Sequence, residues 1–70
     1  MPSWTLGENI RQLREAKGLT AELLANRARV TLSFITILEG GQGSDNPSPA
    51  ILQRIARVLG VTVSKLTGEP

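Results

Sequence analysis

Apolar positions along this chain recur at steps of three and four, and the runs are broken at regular points by Gly, Pro and polar clusters. The breakers are "KGLT" at 17–20, "GGQGSDNPSP" at 40–49 and "LGVT" at 59–62. Leu6, Ile10, Leu13 and Ala16 line one face of a helix predicted over about 5–17. Thr5 followed three residues later by Glu8 has the form of a capping box, and Gly18 reads as the stop. Thr20 caps a second helix over about 21–28, with Leu24, Ala25 and Ala28 as its buried side. Ala25 is small where a neighbouring helix can come close.

The stretch "VTLSFITILEGG" at 30–41 is the ambiguous one. Its Val, Thr, Phe and Ile favour strands. As a strand it would set Leu32, Phe34, Thr36 and Leu38 on one face against Ser33, Ile35 and Ile37 on the other. Neither face is polar, so burial on both sides would be needed, and a lone strand among helices has nothing to pair with. As a helix over about 31–39, capped by Thr31, it gathers Phe34, Ile35 and Leu38 on one face and ends at Gly40–Gly41. Helix is therefore expected, because tertiary context overrides a weak propensity. "SDNPSP" is a turn that delivers Ser48 as a cap and Pro49 as the first residue of a helix over about 49–59. Leu52, Ile55, Ala56 and Leu59 form its face and Gly60 its stop. Thr62 caps a last helix over about 63–67. The expected architecture is all-α: one domain over 1–70, a compact bundle of five short helices, without repeats.

Charge and composition narrow the chemistry. Seventy residues give a marginal core, and the chain has no Cys and no His. Disulfides, thiolate or imidazole metal sites, and Ser–His or Cys–His catalysis are thereby removed. The six acidic residues are scattered, so no metal site and no cofactor is expected, and paired catalytic carboxylates are lacking. Too little chain remains to enclose a sizeable pocket, so an enzyme is not expected. Tight helix packing or dimerisation is left to stabilise the fold. The pI of about 10.0 overstates the basicity, since the net charge is only +2 and almost nothing titrates between the carboxylates and the lysines. Any affinity for nucleic acid must come from placed contacts rather than a general field. No apolar run approaches the roughly 20 residues that span a bilayer, so no membrane partner is expected. "MPSWTLGEN" lacks the form of a secretory signal, and a cytoplasmic setting fits. "GGQGSDN" lacks the Lys and Ser/Thr of a phosphate-binding loop and reads as a turn. Trp4 is expected to pack over the first helix.

Two short helices, 21–28 and 31–39, joined by a three-residue connection when the cap Thr31 is counted in it, suggest a helix-turn-helix. The order around them is more specific. "LREAKGLT", Leu24–Ala25, the set Val30, Ile35, Leu38 and Glu39, "NPSPAILQRIARVLGV" and "TVSKL" stand in register over about residues 5–67. Together they resemble the phage repressors and Cro proteins, the XRE-like regulators with a lambda-repressor-like fold, bacterial or phage-encoded. The resemblance implies double-stranded DNA as partner, bound by a homodimer that reads two half-sites about 34 Å apart. It implies a third helix in the major groove presenting Leu32, Ser33, Thr36 and Ile37 from a start at Thr31. The second helix would bring its N-terminal amides at Ala21 toward a phosphate, as would the following loop around Gln42 and Ser44. A structural ion pair between Arg14 and Glu39 is also implied. No small-molecule effector is evident, and a chain complete at 70 residues would have no room for a separate effector domain.

The chain departs from that family in four places. Arg29 stands in the turn where the family usually has Gly, at a cost of roughly 1 kcal/mol for a left-handed backbone. Ala21 replaces the frequent Gln. The third helix has no Lys or Arg, so the commonest specific contact, to guanine, is unavailable from it. Ser33 and Thr36 can still hydrogen-bond, and Leu32 and Ile37 can touch thymine methyls, which favours A·T-containing steps. Leu23 is apolar where a charge is usual. Arg11, Lys17, Arg27 and Arg29 are solvated surface by default, with a phosphate contact as the alternative. Two functions follow: a sequence-specific DNA-binding regulator, or an interaction module that kept the fold while its apolar helix-turn-helix face turned to a protein partner.

Overall fold

A computed structural model of the chain describes residues 5–40 and 47–67. Among these, all regular structure is helical: α1 (Leu6–Ala16), α2 (Ala21–Ala28), α3 (Leu32–Glu39), α4 (Pro49–Leu59) and α5 (Val63–Thr67). Each start is chemically marked. Thr5, Thr20, Thr31 and Ser48 have extended backbones, and their hydroxyls accept from the N–H groups of Glu8, Leu23, Phe34 and Ile51. Thr62 accepts likewise from Lys65 at 3.1 Å. At α1 the box closes, with the Thr5 N–H donating back to the Glu8 carboxylate at 3.0 Å. Each cap satisfies a donor that the first helical turn leaves free, typically about 1 kcal/mol. The Thr5 N–H and hydroxyl also hold the Glu8 carboxyl below its usual pKa.

Three of the helix ends share one device, while α3 ends at Gly40 in the right-handed region. Gly18, Arg29 and Gly60 are left-handed, at φ of 70°, 61° and 70°. After each, the next N–H reaches back five residues: Leu19 to the Arg14 carbonyl, Val30 to Ala25 and Val61 to Ala56, at 3.0–3.1 Å. These are Schellman closures, which satisfy the orphan carbonyls and turn the chain sharply.

The helices pack in a closed order: α1 on α3, α3 on α2, α2 on α4, α4 on α5, and α5 back on α1. Every helix contributes to the centre, with Ile10, Leu24, Ala25, Ala28, Ile35, Ile55, Ala56, Leu59 and Leu66 buried. Burial of each large member contributes roughly 1.5–3 kcal/mol. Leu6, Leu13, Phe34, Leu38 and Leu52 lean on this centre partly buried. Ala16, expected on the buried face of α1, is exposed. It lies in the last turn, where the chain bends away through Gly18. Gly7 carried no expectation and is buried, because α1 and α3 touch backbone to backbone there. A Cβ on Gly7 would fall inside the Leu38 carbonyl. Asn9 on α1 also ties down the last helix, donating to the Leu66 carbonyl at 3.0 Å. Trp4 lies outside the described residues.

Candidate nucleic-acid interface

The turn between α2 and α3 determines what α3 can present. α2 ends at Ala28, Arg29 reverses the chain, and Thr31 restarts it as the cap of α3. α3 then buries Ile35 and half-buries Phe34 and Leu38 against α1 and α2. The face left outside holds Leu32, Ser33, Thr36 and Ile37, positions one, two, five and six of the helix, all exposed. Leu32 and Ile37 are 42% and 49% accessible, high for side chains of this kind. Leu23 on α2 adds a further 39% exposed apolar side chain. The result is a convex helix face with two hydroxyls between two branched apolar groups. It projects outward and does not enclose a ligand.

Other expected site residues are placed as follows. Ala21 opens α2 half-buried against the core, so only its backbone N–H is available to a partner. The Thr31 hydroxyl oxygen accepts from the Phe34 N–H at 3.1 Å, and its own proton stays available to donate. Gln42 and Ser44 lie outside the described residues.

Arg14 and Glu39 fix the α3 frame. Arg14 Nε and Nη2 donate to the two Glu39 carboxylate oxygens at 2.7 and 2.9 Å, a bidentate fork. Its Nη1 donates to the Leu19 carbonyl at 2.8 Å. One side chain thus joins α1, the α1–α2 turn and the end of α3. The two side chains are only 14% and 11% accessible, so the pair is shielded from salt more than a surface pair would be. The Glu39 hydrogen bonds raise the Arg14 pKa further, keeping the guanidinium charged.

Cations are distributed unevenly. α3 and the first turn of α2 contain none, and α2 begins with an exposed Glu22. Arg11 pairs with Glu15 at 3.3 Å on the exposed side of α1. Arg27 and Arg29 lie at the end of α2 beside Arg54 and Arg57 of α4. Arg54 Nε donates to the Ala28 carbonyl at 2.9 Å and so caps the C-terminus of α2. The sequence reading overlooked Arg54 and Arg57. Their i, i+3 spacing on the polar side of α4 was visible, but their convergence with Arg27 and Arg29 depends on how α2 crosses α4. Among the described residues, no group of three or more acidic side chains could hold a metal, and no helix is long and apolar enough to cross a membrane.

Comparison with known proteins agrees with this geometry. The immunity repressor of Bacillus phage phi105 is 34% identical over 65 residues, covering 93% of this chain and 44% of that protein. The transcriptional regulator DdrOP3 of Deinococcus deserti is 36% identical over 61 residues, 87% of this chain and 46% of its own length. SinR of Bacillus subtilis is 34% identical over 64 residues, 91% of this chain and 57% of SinR. A crystal structure of SinR in complex with DNA superposes with a TM-score of 0.83, over 89% of this chain and 97% of that one. The chain spans about half the length of the curated relatives it matches. The family model described as a helix-turn-helix domain matches residues 5–66. With five helices in register, the reversed turn at Arg29 and this match over nearly its whole length, the chain belongs to the helix-turn-helix domain family.

Proposed function

We propose that this chain is a sequence-specific DNA-binding transcription regulator that acts by binding, without a catalytic step. The observation that carries the reading is the exposed face of α3. Leu32, Ser33, Thr36 and Ile37 stand where a recognition helix presents side chains to base edges. The SinR–DNA complex, a near relative of the same fold, supports it. α3 enters the major groove, and the N-terminal amides of α2 at Ala21 meet a phosphate through the helix dipole. Thr31 stands at the groove edge, and the loop around Gln42 and Ser44 contacts backbone phosphates. Ser33 and Thr36 hydrogen-bond to bases, while Leu32 and Ile37 pack on thymine methyls. Two copies bind half-sites about one helical turn apart. The setting is the cytoplasm of a bacterium, with the gene on its chromosome or on a phage.

The test is selection from a random duplex library. An enriched motif with two-fold symmetry and thymines in its half-sites is expected. Replacing those thymines by uracil, which removes only the methyl, should weaken binding several-fold. A motif dominated by contacted guanines would contradict the reading of α3. The apolar set Leu23, Leu32 and Ile37 favours a second reading, docking of this face on a protein partner. That reading expects no enrichment at all.

A further inference from the structure

Four of the chain's eight Lys and Arg residues line one cleft. Arg27 and Arg29 come from the end of α2 and Arg54 and Arg57 from α4; half-buried Val58 completes a wall around about 320 Å³. In a chain of net charge +2, one recess therefore concentrates four positive charges. Among the described residues, no carboxylate pairs with any of the four. Arg54 is anchored by its Nε to the Ala28 carbonyl, and its two Nη groups have no protein acceptor among those residues. The contrast is the recess on α1 lined by Glu8, Arg11, Gln12 and Glu15, which neutralises itself through the Arg11–Glu15 pair.

One cation suffices to complement the helix dipole at the end of α2, and Arg54 already does so. Arg29 adds a charge at a left-handed position where the two equivalent turns use Gly18 and Gly60. A non-glycine residue at such a position costs backbone strain, and functional sites are where such strain is stored. A carboxylate brings two oxygens and one charge, whereas a phosphate group offers more oxygens and up to two charges. Four converging guanidinia match the second chemistry. No residue of α3 lines the cleft, so it is separate from the groove-reading face.

We infer that the α2–α4 cleft is a phosphate-binding site, filled either by backbone phosphates of bound DNA or by a free polyphosphate. The DNA source rests on the function proposed above; the free source does not, so the two ideas can fail separately.

The experiment compares wild type, R27Q/R57Q, and a charge-matched control, R11Q/K65Q, whose residues lie elsewhere. Arg27 and Arg57 hold no described structural bond, and R27K/R57K keeps the charge while removing the fork. Inorganic tripolyphosphate at constant ionic strength should raise the melting temperature of wild type and of R11Q/K65Q by several degrees. It should leave R27Q/R57Q unmoved and act weakly on R27K/R57K. If the phosphates come from DNA, the slope of log affinity against log salt on a selected duplex should flatten by about 2 in R27Q/R57Q, and by less in the control. Either response specific to R27Q/R57Q supports the site and names its source. Equal loss in both double variants, or no response in either assay, overturns it; a cleft built for protein carboxylates would give that second result.

Discussion

Arg29 occupies a backbone position that two glycines hold elsewhere in the same molecule. Its left-handed conformation costs about 1 kcal/mol relative to glycine, part of which glycine returns as greater freedom in the unfolded chain. Arg29→Gly should therefore raise stability by about 0.5 kcal/mol in chemical denaturation, and a clear loss would mean that the side chain contributes packing. Glu39 is the opposite case. Removing its carboxylate leaves Arg14 charged and largely shielded from water, so Glu39→Ala should cost about 2–4 kcal/mol. A change below 1 kcal/mol would place the pair among ordinary surface contacts. Glu8 gives a pH dependence with a definite sign. Its pKa is lowered in the fold, so its contribution is present above the unfolded-state value of about 4.5 and is lost as pH falls through the lower folded value. Melts over a falling pH series should show Glu8→Gln less stable than wild type at pH 7, with the difference shrinking as the pH drops below the unfolded-state value. The Arg29 turn and the Arg14–Glu39 partnership could be anticipated only because the family resemblance marks each position. The Arg54 cap on Ala28 could not, since it joins residues 26 apart through helix crossing alone.

Capping explains why the helices were legible. Five hydroxyl caps and three left-handed stops are local chemistry, each fixed by residues within a few positions of one another. α3 needed more. Its strand-favouring residues form a helix because Ile35 is fully buried against α1 and α2, while Leu32 and Ile37 remain outside. Burial of alternate residues on two faces, as a strand would require, has no partner in this bundle. Close packing of α1 on α3 was not legible: nothing in "LGEN" distinguishes a glycine required by a neighbour's backbone from one merely tolerated. Gly7→Ala tests that contact. The new Cβ would meet the Leu38 carbonyl, which belongs to the α3 backbone and cannot rotate away. The two helices must separate, and a loss of about 2–3 kcal/mol is expected by thermal or chemical unfolding. Full stability in Gly7→Ala would show that α3 can shift along α1 at little cost.

At the scale of the whole molecule, the bundle separates its tasks by direction. The apolar centre draws on all five helices, the α3 face carries hydroxyl and apolar groups without charge, and half of the Lys and Arg residues gather at the α2–α4 edge. Composition alone pointed to a weakly charged protein and concealed that separation. If α3 reads DNA by shape, hydroxyls and methyl contacts, specificity and electrostatic affinity come from different surfaces and can be removed independently. The most direct measurement is the ratio of affinities for a selected duplex and a scrambled one, for wild type and for the α3-face variant L32A/S33A/T36A/I37A. All four side chains are exposed, so the fold should survive, with its melting temperature as the check. The account predicts a large ratio for wild type that falls toward one in the variant, while scrambled-DNA affinity stays nearly constant. An unchanged ratio in a folded variant, or a wild-type ratio near one, would contradict base reading by α3.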